Sequence, residues 1–178
     1  MEKNRQGLLH IYCGDGKGKT SAAVGMAVRA AGCGMKVLVI RFLKTENSGE
    51  VEVLRSIPGI TVSPCERTFG FVFRMTEEQK QEAALYYQSR FEAAAKKAVQ
   101  GQYDLLILDE ILASCNYGMV RETSVVEFLQ NRPEKLEVVL TGRNPSETFL
   151  ELADYVSEIC MRRHPYEKGI PARRGIEF

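Results

Sequence analysis

The sequence predicts an α/β fold in three layers, with helices on both faces of a mostly parallel sheet. Three observations lead there. Apolar strand-like runs alternate with helix-like stretches along all 178 residues, which implies crossover connections. The runs Val37-Leu38-Val39-Ile40 and Leu105-Leu106-Ile107-Leu108 are continuous, as in strands covered on both sides. The first strand passes through a glycine cluster directly into an alanine-rich helix.

Leu8 to Tyr12 reads as that first strand. From Thr20 to Ala31, Ala23, Ala27 and Ala30 recur at helical spacing, and Gly32 and Gly34 stop the helix. Lys36 to Phe42 is the second strand. A polar stretch, Lys44 to Glu50, leads into a short helix over Glu50 to Ser56, which Pro58-Gly59 breaks before a brief strand at Ile60 to Val62. Thr76-Glu77-Glu78-Gln79 is a capping box. Ala84, Tyr87, Phe91, Ala94 and Ala98 line one face of the long helix it opens. Lys96 and Lys97 suit the C-terminal end of its dipole, and Gly101 terminates it. Leu105 to Leu108 is a central strand and Leu136 to Leu140 another, with a helix around Glu122 to Gln130 between them. A helix from Ser146 to Ala153 and a last strand near Tyr155 to Met161 follow. The length and the lack of any repeat, low-complexity tract or linker predict a single domain, 1–178.

With 24 basic and 23 acidic residues the net charge is +1, which argues against nucleic-acid binding by bulk electrostatics. Cys13, Cys33, Cys65, Cys115 and Cys160 form no Cys-x-x-Cys pair, and His10 and His164 are far apart. That pattern fits neither a disulfide framework nor a zinc site, but free thiols in a reducing, cytoplasmic setting. The polar start Met-Glu-Lys-Asn-Arg-Gln is no signal peptide, and no apolar stretch approaches the roughly 18 residues of a membrane span.

The strand–loop–helix context surrounds Gly14-Asp15-Gly16-Lys17-Gly18-Lys19-Thr20, a P-loop pattern. Glycines let successive N–H groups turn inward around phosphate oxygens at the positive end of a helix dipole. Lys19 would neutralise phosphate charge and the Thr20 hydroxyl would bind Mg²⁺. The strict pattern places its first glycine where Cys13 stands. Leu105–Leu108 then delivers Asp109-Glu110 to the carboxyl edge of the sheet, where P-loop proteins hold a metal-completing acid. The alternative is that one of these acids caps a following helix. Together these features narrow the fold to a P-loop NTPase-like, RecA-like sheet.

Further motifs follow in order: Arg29 in the first helix, Arg41-Phe-Leu-Lys44, Gly70-Phe71-Val72-Phe73, Leu108-Asp109-Glu110 and Leu140-Thr141-Gly142-Arg143. The chain ends His164-Pro-Tyr-Glu-Lys-Gly169-Ile-Pro-Ala-Arg-Arg-Gly175-Ile176-Glu177-Phe178. With the glycine loop, this series resembles the bacterial P-loop type of ATP:corrinoid adenosyltransferase, from about Gly7 to Phe178. The resemblance implies transfer of the 5′-deoxyadenosyl group of ATP to the Co(I) of a corrinoid, with release of triphosphate. ATP, bound in a reversed sense, is the co-substrate and Mg²⁺ the cofactor.

It also implies roles. Gly14, Asp15, Gly16, Lys17, Gly18, Lys19, Thr20, Ser21 and Arg29 bind the nucleotide, and Lys19, Phe71, Phe73 and Arg143 are catalytic. Thr20 and Glu110 hold Mg²⁺, whereas the generic P-loop rule would choose Asp109. Such a reaction needs no general base, because the nucleophile is a metal electron pair. It needs an in-line C5′ and a stabilised leaving group. The family's aromatic pair pushes away the lower axial ligand of cobalt, easing its reduction; Phe71 matches, and Phe73 stands where a tryptophan is usual. Only Met1 to Gln6 precede the first strand, so a leading segment that covers the corrinoid in some relatives is short here. Family habit adds a homodimer and a flavoprotein electron donor.

Three other readings remain open from the residues alone: a kinase or NTPase acting at the γ-phosphate, a RecA-like DNA-binding module, and a nucleotide-dependent switch. The released species separates them: triphosphate for adenosyl transfer, orthophosphate for hydrolysis, nothing for a passive binder.

Overall fold

The computed structural model describes residues 6–177. Its strands are β1 (Leu9–Cys13), β2 (Val37–Arg41), β3 (Ile60–Val62), β4 (Leu105–Asp109), β5 (Glu137–Thr141) and β6 (Tyr155–Glu158). The helices are α1 (Lys19–Gly32), α2 (Glu50–Ser56), α3 (Glu77–Gln100), α4 (Ile111–Asn116), α5 (Glu122–Gln130) and α6 (Glu147–Leu152). All pairings are parallel, in the order β3-β2-β4-β5-β1-β6. The expected α/β sheet is therefore present.

Side chains alternate across the pleat, so each strand feeds two cores. Val37, Val39, Leu105, Ile107 and Val139 pack under α1 and α2 with Ala23, Ala27, Ala30, Val51 and Leu54. Leu9, Ile11, Leu38, Ile40, Leu106, Leu108, Val138 and Leu140 face α3, α5 and α6 through Tyr87, Phe91, Val125, Leu129 and Phe149. The alanines of α1 let that helix lie close to the sheet, which fixes its N-terminus beside the carboxyl ends of β1 and β4.

The capping box of α3 forms as expected: Gln79 N–H donates to Thr76 Oγ1 at 3.2 Å, and Thr76 N–H donates to Gln79 Oε1 at 2.9 Å. Its buried stripe is Ala83, Tyr87, Phe91, Ala94 and Ala98, so Ala83 replaces the expected Ala84. Ala84 lies on the flank, half-buried. Gly101 ends the helix, but with an ordinary φ of −79°; the left-handed residue is Gln102, φ 49°. Glycine suits 101 because a Cβ there would stand 2.7 Å from the Lys97 carbonyl oxygen and 2.5 Å from the Tyr103 ring. The last strand stops at Glu158, short of Met161, and is exposed along its length at the sheet edge. Helix α4 follows Asp109-Glu110, where the alternative reading put a helix; Glu110 stands at its N-cap, but its side chain makes no capping bond.

Candidate active site at the phosphate loop

Two loop glycines have their reason in main-chain proximity. Gly14 has φ 102°, and a Cβ there would lie 2.5 Å from the Ile159 carbonyl oxygen; at Gly16 the same oxygen would be 2.6 Å away. Gly16 N–H donates to that oxygen at 2.7 Å, so the segment after β6 forms the back of the loop. Met161 N–H donates to Asp15 Oδ1 at 2.8 Å and holds that carboxyl below its usual range. Asp15 is thus a tether, and Cys13 is the buried last residue of β1, its thiol pushed up by burial.

Lys19 opens α1. Its ammonium is buried and donates to the carbonyls of Gly14 and Gly16, each at 2.8 Å. Burial, with Arg143 second, lowers its pKa. A little-hydrated cation ringed by loop carbonyls is poised to exchange those partners for phosphate oxygens. Arg143, exposed after β5, donates to the Asp15 carbonyl at 3.4 Å and so flanks the loop. Its predecessor Gly142 has φ 147°, where a Cβ would be 2.6 Å from Leu112.

The two acids at the end of β4 differ. Asp109 is buried and fully engaged: Oδ1 accepts from Thr20 Oγ1 at 3.0 Å and Thr141 Oγ1 at 2.7 Å, and Oδ2 pairs with Lys44 Nζ. Glu110 has left-handed φ 62°, and its N–H donates to Thr141 Oγ1 at 2.9 Å. It occupies the N-cap position of α4, yet its side chain caps nothing. A non-glycine residue held there carries roughly 1–2 kcal/mol of strain. The Glu110 carboxylate accepts no hydrogen bond among the described residues. Burial, then the neighbouring Asp109, pushes its pKa up.

That donor set fits Mg²⁺. The ion takes oxygen ligands, keeps waters and uses one or two protein groups beside phosphates. Thr20 and Glu110 offer a hydroxyl and an unengaged carboxylate, and among the described residues no cluster of three acids, histidines or cysteines forms a protein-only cage.

Phe71 precedes, and Phe73 lies within, a single 3₁₀ turn, Val72–Arg74. The two residues are 66% and 78% exposed, and their rings stack with centroids 5.4 Å apart. The Arg74 guanidinium lies 5.7 Å and 5.5 Å from the two. Phe69 instead anchors the loop against Tyr86 and Tyr87. Arg29, by contrast, is exposed in the last turn of α1, about 15 Å along the helix axis from Lys19. The structure brings together the glycine loop, Lys19, Thr20, Asp109, Glu110 and Arg143, and leaves Arg29 apart. Ser21 is exposed in the first turn of α1. Lys44 and Thr141, quoted in motifs but given no role, also belong to the site. Their signal was position: each lies at or just beyond the carboxyl end of a strand bordering β4.

The C-terminal signature closes on the loop. Glu177 accepts from Arg173 Nη2 at 3.1 Å and from Lys17 Nζ at 3.3 Å, and His164 Nδ1 accepts from Tyr166 N–H at 3.2 Å. Arg173 holds the Glu177 carboxyl down at about 2, against an ordinary 4.5. A depressed carboxyl pKa favours the clasp above the ordinary value and loses it as pH falls through the folded one. Cutting of the tail by pepsin is therefore expected to rise from about 4.5 down to about 2; equal cutting at both ends of that window would count against the clasp.

A phosphate loop after β1, an acid pair at the end of β4 and a tail folded onto the loop occur here in one chain. The family model described as ATP:corrinoid adenosyltransferase BtuR/CobO/CobP matches residues 5–178. The chain belongs to that family. As an ATP:corrinoid adenosyltransferase it adenosylates corrinoids at the expense of ATP, in cobalamin biosynthesis. The adenosyltransferase is 33% identical over 177 residues to the corrinoid adenosyltransferase of Pseudomonas aeruginosa, spanning 99% of this chain and 86% of that one. It is 32% identical to the corrinoid adenosyltransferase of Escherichia coli K12 (99% and 88% covered) and 30% identical to corrinoid adenosyltransferase CobA of Salmonella typhimurium (99% and 88%). Among solved structures, the cytoplasmic domain of EssC superposes with a TM-score of 0.50 at 12% identity, over 94% of this chain and 35% of that one, a likeness of fold alone. No helix among the described residues is long and apolar enough to cross a membrane.

Proposed function

We propose that this chain moves the 5′-deoxyadenosyl group from ATP to corrinoid Co(I) and releases the three phosphates together. The observation that carries the reading is a phosphate loop with its lysine at the helix start, in the same chain as an exposed, stacked aromatic pair. An enzyme acting at the γ-phosphate needs the first and has no use for the second. Loop N–H groups, Lys19 and Arg143 hold the triphosphate and take up the charge that grows on it as the C5′–O bond breaks. Thr20 and Glu110 hold Mg²⁺, which when bound adds charge neutralisation on the phosphates. Support for Glu110 over Asp109 is that Asp109 already spends both oxygens on Thr20, Thr141 and Lys44.

Phe71 and Phe73 present an apolar wall that offers cobalt no donor atom, so a corrinoid resting there keeps the low coordination that favours reduction. The reading includes a homodimer in the cytoplasm and a flavoprotein donor for the cobalt electron.

Incubation with ATP, Mg²⁺ and chemically reduced corrinoid is expected to give the spectrum of a Co–C bond and stoichiometric triphosphate; orthophosphate instead would overturn the proposal. Phe71→Ala is expected to lower turnover by about tenfold or more when Co(II) corrinoid and a reductant are supplied. With preformed Co(I) the loss should be much smaller, and equal losses would remove the axial-ligand role.

A further inference from the structure

We propose that Lys44 is the phosphate site's own cation: it holds Thr20 and Asp109 until a divalent metal claims Thr20, and then passes to the polyphosphate. The inference rests on the phosphate-binding part of the function proposed above and adds a residue to it.

Lys44 Nζ lies 2.8 Å from Thr20 Oγ1 and forms an ion pair with Asp109 Oδ2. This places an ammonium between the hydroxyl and the carboxylate that the P-loop rule gives to a metal. The placement is built on both sides. Phe42, fully buried, donates its N–H to the Asp109 carbonyl at 2.9 Å. Leu43 then turns the chain with a left-handed φ of 52°. Beyond Lys44, the buried Arg41 guanidinium donates to the Thr45 carbonyl at 2.8 Å and to Glu46 Oε1 at 2.9 Å. A strained turn before it, and the grip of buried Arg41 on Thr45 and Glu46 after it, hold Lys44 over the sheet edge.

Its side chain keeps 21% exposure, so the ammonium is not sealed in and can move along the mouth of the site. Two cations sharing the Thr20 hydroxyl would repel at that short range. Lys44 must therefore leave Thr20 when a metal arrives. With Glu110 taken up by the metal and Asp109 still behind it, Lys44 then turns to the phosphates. The consequence is opposite in sign for the two ligands: Lys44 weakens metal binding in the absence of phosphate and strengthens polyphosphate binding.

The test uses the full chain without corrinoid. Mn²⁺ is titrated by electron paramagnetic resonance into protein without nucleotide, and inorganic triphosphate is titrated by calorimetry in the presence of a chelator. In Lys44→Gln, Mn²⁺ is expected to bind at least about tenfold tighter than in the parent, and triphosphate about tenfold weaker. Lys44→Arg, which keeps the charge, is expected to retain most of the triphosphate affinity. Unchanged or weaker Mn²⁺ binding in Lys44→Gln overturns the proposal, as does unchanged triphosphate binding. Should Lys44→Gln unfold, Lys44→Met carries the same two readouts. Because no corrinoid is present, failure here leaves adenosyl transfer standing, whereas failure of adenosyl transfer shows in the cobalt spectrum alone.

Discussion

Lys19→Ala is expected to remove ATP binding from a calorimetric titration and to lower adenosylation by at least about 10²–10³-fold. The ammonium is buried at the first turn of α1 and touches the Gly14 and Gly16 carbonyls, with no acid bonded to it among the described residues. Its charge is thus uncompensated by any direct ion pair and available to phosphate. A leaving triphosphate gains negative charge in the transition state, so the loss should appear in turnover as well as in affinity. Lys17 is the internal control. Half-exposed and already bonded to Glu177 at 3.3 Å, it sits in screened surroundings. Lys17→Ala is therefore expected to cost no more than about tenfold. Full activity in Lys19→Ala would take the loop out of the mechanism, and equal losses at 17 and 19 would reduce both to general charge.

The second large effect separates the two acids of β4 by kind of damage. Glu110→Gln should lower Mg²⁺-dependent turnover by about 10²-fold or more with little change in thermal stability, because its carboxylate makes no hydrogen bond that folding would miss. Asp109→Asn should do the reverse in emphasis. It removes the charge that Lys44 pairs with and disturbs the bonds from Thr20 and Thr141. Loss of a largely buried, hydrogen-bonded charge costs about 1–3 kcal/mol, moderated here because Lys44 is partly exposed. Melting curves and metal titrations on the two variants check the ranking. A greater metal defect in Asp109→Asn would return the ligand role to Asp109.

Much of this was readable from the chain. Val37–Ile40 and Leu105–Leu108 announced buried parallel strands because covering both faces abolishes alternation. Thr76 and Gln79 announced α3 because a capping box is a local code that tertiary packing seldom overrides. The glycine loop was legible because phosphate binding by main-chain groups constrains residue type at each step. What escaped was whatever depends on two distant segments meeting. Asp109 and Glu110 are adjacent in sequence, yet only the positions of Thr141 and Lys44 decide which is spoken for. Arg29 has a nucleotide role only through the family resemblance; it stands in the last turn of α1, about 15 Å along the axis from Lys19. Helix α4 is foreshadowed only as a helix that one of these acids could cap, because its six residues are too few for a periodic signal.

The wall behind Gly14 and Gly16 restricts how this loop can ever be altered. Since the obstructing atoms belong to the Ile159–Cys160 peptide backbone, trimming a neighbouring side chain frees no room. A selection that randomised both glycines would recover glycine alone, whatever second-site changes were permitted, unless the crossing segment itself were rerouted.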